Sequence, residues 1–159
     1  MDIFDEEILK FWGALQSCKV GYIMVGGYAI NLHGYQRYTA DIDIWIEDTP
    51  ENRRRLRQAF IDCGIGDYPM LETMQFVPGW TDFNLMSGLR LDILVNMKGL
   101  EGYRFEECLT MASVADIDGI QIPFLHINQL IANKRAVNRP KDQLDVIELE
   151  QLKKLLGDL

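Results

Sequence analysis

The chain has 159 residues, of which 48% are hydrophobic and 25% are charged, and its formal net charge is −8. This composition is typical of one globular domain with its own core, and the acidity excludes a broad basic surface for duplex nucleic acid. No apolar run approaches the roughly 20 residues of a membrane helix, and the acidic start predicts no signal peptide. The three cysteines lack the spacing of a zinc site or of a disulfide framework. This indicates reduced core thiols in the cytoplasm.

An amphipathic helix, a short strand and a glycine pair open the chain. A helix is predicted over Asp5–Ser17, because apolar residues recur there at helical spacing and the first residue can cap the start. Tyr22–Val25 has the pattern of an apolar strand, and Gly26 and Gly27 separate it from helix-like composition over Tyr28–Leu32. This succession could hold an anion on helix amides, or the glycines could form only a tight turn.

The next predicted strand, over 41–46, carries two carboxylates. Its isoleucines alternate with the other residues, so Asp41 and Asp43 point to one face and the isoleucines to the opposite face. Like charges this close repel, and a divalent metal is the simplest cation to lie beside them. Arg37 and Thr39 precede the strand, either as ordinary loop residues or with Arg37 paired to a phosphate or to the carboxylates.

A β-hairpin is predicted over Asp82–Met97, with strands Phe83–Met86 and Leu89–Val95 on either side of a Ser-Gly turn. Asp92 is one acid in an otherwise apolar strand. A buried lone carboxylate is costly, so we expect it to have a partner. That partner could be Arg90, water at an exposed strand face, or the cation that serves the first two carboxylates.

The C-terminal part is predicted to be mainly helical. Phe105–Met111 and His126–Asn138 have helical patterns, whereas the second Asp-Ile-Asp sequence, at 116–118, precedes a glycine and predicts a turn between two short strands. Lys134 continues the apolar stripe of its helix. Its ammonium therefore either reaches the edge of the core or meets a buried anion.

The last predicted helix begins near Pro140 and is expected to pack through an apolar face. That face consists of Leu144, Ile147, Leu152 and Leu155. Asp142 and Asp145 lie near the start of the helix, where carboxylates interact favourably with the helix dipole.

Together these features meet the requirements of metal-dependent phosphoryl or nucleotidyl transfer. A glycine pair lies on a strand-to-helix turn, Asp41 and Asp43 share one face of the next strand, and Asp92 lies on a later strand. Mg²⁺ takes a few carboxylates and leaves positions for water and phosphate oxygens, and two such ions can hold the attacking and leaving oxygens. The glycine turn would hold the triphosphate, and a lysine would offset developing charge.

This pattern resembles the nucleotidyltransferases of the DNA polymerase β superfamily. Their motif is an apolar strand, Gly-Gly or Gly-Ser, roughly ten to thirteen residues and then Asp-x-Asp, with a third Asp on a later strand. The resemblance covers about Tyr22–Val95. The tail is similar to two small branches, the lincosamide-type antibiotic nucleotidyltransferases and the nucleotidyltransferase toxins of abortive-infection systems. Both place a lysine and a Lys-Asp pair where this chain has Lys134, Lys141 and Asp142.

We therefore expect an α+β fold, with a small mixed β-sheet and helices packed mainly on one face. A single domain is predicted over 1–159, with its core at about 22–95 and a helical part at about 126–157. The resemblance implies a nucleoside triphosphate donor, two Mg²⁺ ions and a hydroxyl or similar acceptor on an antibiotic, RNA or protein. Asp41 and Asp43 would bind both ions, and Asp92 would bind the second and help deprotonate the acceptor. The residues expected to bind the nucleotide are Gly26, Gly27, Arg37, Thr39, Lys134, Lys141 and Asp142.

Two alternatives concern partners and activity. The short C-terminal part leaves little room for an acceptor domain, so a homodimer or a partner protein could complete the acceptor site. The chain could also be a catalytically silent binding protein, such as a toxin–antitoxin component. The complete acidic triad favours the enzyme, because a silent domain has no need of three repelling carboxylates.

Overall fold

A computed structural model of the chain describes residues 5–79, 81–85 and 88–157. Its helices start at the caps that the sequence contains. The carboxylate of Asp5 accepts a hydrogen bond of 3.0 Å from the amide of Ile8, and the hydroxyl of Thr49 accepts one of 3.1 Å from the amide of Asn52. The described elements in chain order are α1 (Glu6–Ser17), β1 (Tyr22–Val25), α2 (Gly26–His33), β2 (Asp41–Ile46), α3 (Pro50–Asp62), a 3₁₀ turn (Pro69–Glu72), β3 (Asp82–Asn84), β4 (Arg90–Leu94), α4 (Phe105–Met111), β5 (Ser113–Ile117), β6 (Ile120–Phe124), α5 (Ile127–Val137) and α6 (Pro140–Leu155).

The six strands form one mixed sheet in the order β3-β4-β2-β1-β6-β5. Strand β1 runs antiparallel to β2 and parallel to β6, and β2 runs parallel to β4. The edge strands β3 and β5 each pair antiparallel with an inner neighbour. The predicted α+β class with a mixed sheet is confirmed.

The parallel pairing of β2 with β4 gives the sheet two chemically different faces at its centre. Ile42 lies opposite Leu91 and Ile44 lies opposite Ile93, and all four side chains are fully buried. Because side chains alternate along a strand, the intervening residues of both strands point to the other face. Those residues include the carboxylates that the sequence identified.

The hairpin differs from its prediction in bounds and in pairing. Its first strand covers Asp82–Asn84, one residue earlier than expected, and Met86 and Ser87 lie outside the described residues. Its second strand covers Arg90–Leu94, and this strand also pairs along its other edge with β2. Local sequence predicts the hairpin, but the parallel pairing of β2 with β4 joins residues 49 positions apart in the chain and depends on the whole sheet.

The predicted packing face of α6 is wrong for three of its four members. Leu144, Ile147 and Leu155 are 60%, 54% and 82% exposed. The helix buries Asp142, Asp145 and Leu149 instead, which lie three and four residues apart on one helical stripe. Ion pairs from the ammonium of Lys134 hold the two carboxylates against α5, so the helix turns this stripe inward.

Apolar side chains from both ends of the chain share one core. Trp12 and Phe60 belong to α1 and α3, Ile122 to the sheet and Leu130 to α5, and each is fully buried in that core. Cys108 is a buried free thiol, whereas Cys18 and Cys63 are free thiols that are only partly buried. Within the described ranges, no helix is both long enough and apolar enough to cross a membrane.

Candidate active site

The glycine pair forms the first turn of α2, directly against the acidic strand. Gly26 has a φ of +72°, a conformation that side chains with a Cβ rarely adopt. A Cβ at Gly26 would overlap the carboxylate of Asp43, and a Cβ at Gly27 would lie 2.6 Å from the Thr39 hydroxyl oxygen. Both positions therefore require glycine on steric grounds, and the backbone of Gly26 lies against the Asp43 carboxylate. A tight turn alone would not require this contact.

Asp41, Asp43 and Asp92 lie on the same face of the sheet. Asp43 is paired in register with Asp92 on the neighbouring parallel strand and with Val25, the residue before the glycine pair. In-register residues on adjacent strands point to the same side, and so do residues two apart on one strand. The structure thus brings together the two acidic strands and the glycine turn that the sequence had placed in separate segments.

The environment of Asp43 opposes its ionisation. Burial is the main cause, and the charges of Asp92 and Asp41 add to it, so the pKa of Asp43 rises from 3.8 to about 7. The charges of Lys134 and Lys141 act in the opposite direction, which puts both lysines within electrostatic reach of this face. Burial also raises the pKa of Asp92, despite a hydrogen bond from the Gly79 amide.

Two of the carboxylates are held by other groups of the chain. The guanidinium of Arg90 lies 3.1 Å from Asp41 through its Nε, and the Gly79 amide lies 3.3 Å from the nearer oxygen of Asp92. Within 5–79, 81–85 and 88–157, no three His, Cys, Asp or Glu side chains are close enough to hold one metal ion. The three carboxylates share a face, but their oxygens do not converge on one point among the described residues.

The donor set nevertheless fits a divalent cation. Three carboxylates lie on one face, and the charges of Asp92 and Asp41 add to the effect of burial in raising the pKa of Asp43. Carboxylate oxygens are the ligands that Mg²⁺ takes in proteins. The strand register sets Asp92 beside Asp43, and Asp41 lies two residues before Asp43 on the same strand, so all three side chains start from one face.

Lys134 meets buried anions, one of the two alternatives that its position on α5 left open. Its side chain is 8% exposed, and its Nζ lies 3.3 Å from Asp142 Oδ1 and 3.4 Å from Asp145 Oδ2. Asp142 and Asp145 are therefore buried ion-pair partners as well as residues near a helix start. A direct contact between Lys134 and nucleotide phosphates stays a prediction.

Two arginines complete this buried network. Arg37 Nε lies 2.9 Å from Asp145 Oδ1, and Arg139 Nε lies 2.7 Å from Asp142 Oδ2. Burial alone would raise the pKa of Asp142, but hydrogen bonds from the Arg139 side chain and amide, together with Lys134, lower it to about 2. Arg37 thus ties the loop before β2, which carries Thr39, to α6. Arg37 pairs with the carboxylate of Asp145, and its contact with a phosphate stays a prediction.

No sequence signal assigned Asp82, Arg139 or Asp145 to the site region. Asp82 lies opposite Asp92 on the antiparallel strand β3, and its carboxylate lies 3.4 Å from Arg90 Nε. Arg139 and Asp145 belong to the ion pairs that join α5, α6 and the loop before β2. Asp82 could have been found by aligning the two strands of the predicted hairpin, but the partners of Asp145 depend on how two helices pack.

Comparisons with solved structures give the same fold at low sequence identity. The lincomycin-bound lincosamide antibiotic adenylyltransferase LnuA has a TM-score of 0.60 and 19% identity, covering 96% of this chain and 99% of that chain. ANT(2″)-Ia in complex with adenylyl-2″-tobramycin has a TM-score of 0.57 and 18% identity, covering 94% and 87%. An antigenic nucleotidyltransferase-like protein from Paracoccidioides brasiliensis has a TM-score of 0.55 and 16% identity, covering 94% and 75%.

No protein-family model and no curated protein sequence matches the chain. The structural similarity extends over nearly the whole chain, including the C-terminal helices beyond the motif region. The chain therefore has a nucleotidyltransferase-like fold, as the glycine pair and the three aspartates predicted.

Proposed function

We propose that the protein is a Mg²⁺-dependent nucleotidyltransferase that moves a nucleoside monophosphate from a nucleoside triphosphate to a hydroxyl acceptor. The contact between the first turn of α2 and Asp43 carries this proposal. A helix start binds phosphate through its free amides, and here that start lies against a carboxylate that fits a metal. The metal and the phosphates of a metal–triphosphate complex would therefore find their partners side by side, on β2 and at the start of α2.

The residues have separate roles in this proposal. Asp41 and Asp43 hold the metal, and Asp92 completes the ligand set and accepts the proton of the acceptor hydroxyl. Gly26 and Gly27 let the triphosphate approach the amides of α2. The bound metal supplies charge neutralisation for the phosphates. In the reaction the acceptor oxygen bonds to the α-phosphorus, the bond to the bridging oxygen breaks, and pyrophosphate leaves.

The C-terminal cations provide the positive field that this reaction needs. Lys134 and Lys141 both lower the pKa of Asp43, and Arg139 is half exposed at the start of α6. A triphosphate leaving the glycine turn toward α6 would meet these charges. We assign them to the phosphates, with Asp142 and Asp145 holding Lys134 and Arg139 in place.

One observation favours a catalytically silent binding protein instead. Arg90 already neutralises Asp41, and a carboxylate paired with a protein cation has less need of a metal. The proposal and this alternative differ in whether the protein binds a triphosphate only when Mg²⁺ is present.

Label transfer from a nucleoside triphosphate tests the proposal. The protein is incubated with each of four α-labelled triphosphates and with a lincosamide, an aminoglycoside, RNA or protein as acceptor, with Mg²⁺ or with EDTA. We expect one acceptor to gain label only with Mg²⁺, and Asp43→Asn and Asp92→Asn to lose that transfer. Absence of transfer to every acceptor, with calorimetry showing no Mg²⁺-dependent triphosphate binding, would leave the silent binding protein.

A further inference from the structure

Arg90 lies on the carboxylate face, beside Asp41. It lies opposite Asp41 in the parallel register of β2 and β4, two residues before Asp92 on the same strand. Its Nε lies 3.1 Å from Asp41 Oδ1, and its Nη2 lies 3.5 Å from Asp41 Oδ2. The guanidinium thus spans both oxygens of a carboxylate that the proposed function assigns to the metal.

A second carboxylate holds the same guanidinium from the other side. Arg90 Nε also lies 3.4 Å from Asp82 Oδ2, and Asp82 is the in-register neighbour of Asp92. Asp82 lies on the edge strand β3, away from Gly26 and Asp43. Arg90 therefore has an anionic partner toward which it can move without leaving the sheet face.

The pair between Arg90 and Asp41 is of the kind that a metal ion can displace. The Arg90 side chain is 55% exposed and that of Asp41 is 37% exposed. Ion pairs this exposed contribute little to stability, because water screens both charges. A divalent ion held by three carboxylates gains much more interaction energy, because each carboxylate adds a full opposite charge at contact distance.

We propose that Arg90 is the resident counter-cation of Asp41 and that it moves to Asp82 when the metal binds, so that Arg90 weakens metal affinity and stabilises the metal-free protein. This inference rests on the proposed function, because it assigns Asp41 to the metal. It also explains how three carboxylates can share a face in the described structure without converging. Arg90 is a positioning residue, since it acts through Asp41.

Metal titration without nucleotide tests this inference. Mn²⁺ binding is measured by electron paramagnetic resonance in wild type, Arg90→Gln, Arg90→Lys and Arg55→Gln. Arg55→Gln is a matched control, because it removes the same charge from an arginine that pairs with Glu51 on the exposed side of α3. We expect the Kd for Mn²⁺ to fall about two- to fivefold in Arg90→Gln, as loss of one weak competing pair predicts, and to stay at the wild-type value in Arg55→Gln.

Arg90→Lys separates competition from a general effect of charge. Lysine keeps the charge, but one ammonium cannot span both oxygens of Asp41 as the guanidinium does. Competition predicts a lower Kd in Arg90→Lys also, whereas a purely electrostatic effect predicts the wild-type Kd. Thermal melts in EDTA measure the second effect of Arg90, on the stability of the metal-free protein. Both Arg90 variants should have a lower Tm than wild type there.

The outcomes distinguish this inference from the function on which it rests. Wild type that binds Mn²⁺, with an unchanged or higher Kd in Arg90→Gln, overturns the inference and leaves the proposed function standing. An equal fall in Kd for Arg55→Gln also overturns it. Wild type that binds no Mn²⁺ at millimolar concentration overturns both.

Discussion

Ionisation of Asp43 lowers the stability of the folded protein when no metal is bound. Its pKa is raised to about 7, so the folded protein holds this proton more tightly than the unfolded chain does. The stability contributed by the protonated form is complete below a pH of about 3.8 and is lost as the pH rises through about 7. One pKa unit corresponds to about 1.4 kcal/mol, which sets a ceiling of about 4 kcal/mol on this loss.

Asp43→Asn should therefore stabilise the metal-free protein at pH 8 by about 2 kcal/mol and should have little effect at pH 4. Urea unfolding in EDTA at both pH values measures the difference. Asp118→Asn is the control, because Asp118 is exposed in the turn between β5 and β6. A loss of stability in Asp43→Asn at both pH values would show that this carboxylate is a structural group.

Gly26 provides a steric test of the contact between the glycine turn and Asp43. Gly26→Ala should cost about 3 kcal/mol, because a Cβ adds backbone strain at φ +72° and also overlaps the Asp43 carboxylate. Gly64→Ala is a matched control, since Gly64 has a φ of +86° and open space around its Cβ position. That variant should cost only about 1 kcal/mol. Equal costs in urea unfolding would mean that Asp43 does not contact the turn.

At the scale of elements, buried ion pairs hold α5 against α6. Lys134→Met removes the ammonium and leaves Asp142 and Asp145 short of one cation in a buried site. Breaking a buried pair costs about 3 to 5 kcal/mol, so we expect a loss near the lower limit, because Arg37 and Arg139 remain. Triphosphate affinity should fall as well.

The neighbouring Arg135 gives the control for Lys134. Arg135→Met removes a charge from the same helix, but its side chain is 61% exposed and pairs with Glu150 at the surface. The cost should stay below about 0.5 kcal/mol, because exposed pairs contribute little. Chemical denaturation measures stability, and calorimetry with a triphosphate and Mg²⁺ measures affinity. Similar losses in both variants would contradict a buried network.

Helix α6 gives a second prediction at this scale. Leu149 is fully buried, so Leu149→Ala should cost about 2 to 4 kcal/mol through lost burial and a cavity. Leu144 is 60% exposed, so Leu144→Gln should change stability by less than about 0.5 kcal/mol. Urea midpoints of the two variants decide which face is packed. A larger cost for Leu144→Gln would restore the apolar face that periodicity predicted.

At the scale of the whole molecule, ligand binding should raise the stability of the fold. Mg²⁺ and a triphosphate at 100 times their Kd should add about 2.7 kcal/mol, because only the folded chain assembles the site. For a domain of this size that corresponds to a rise in Tm of about 5 to 10 °C. Thermal melts with both ligands, with each alone and with EDTA measure this effect.

Asp43→Asn is the control for the ligand-induced rise. It should lose most of the effect of Mg²⁺ while keeping a metal-free Tm at least as high as that of wild type. A wild-type Tm that does not respond to millimolar Mg²⁺ and triphosphate, together with a destabilised Asp43→Asn, would contradict the assignment of these carboxylates to a metal.

Local sequence determined most of the elements and their order. The Asp5 cap, the alternation of Asp41–Ile46 and the turn after Asp116 each depend on residues close in the chain, so each could be predicted. The glycine pair and the three aspartates also led to the correct fold, because a motif at fixed spacing combines several such local signals. These features involve short-range sterics and hydrogen bonds.

Only the tertiary structure decided which charges meet. Arg90 pairs with Asp41, and Lys134 pairs with Asp142 and Asp145, because β2 lies parallel to β4 and α5 lies against α6. The same ion pairs reversed the packed face of α6, where periodicity alone favoured Leu144. A charged side chain has several possible partners along the sequence. The choice among them depends on burial and on distances between elements, which the order of residues alone does not determine.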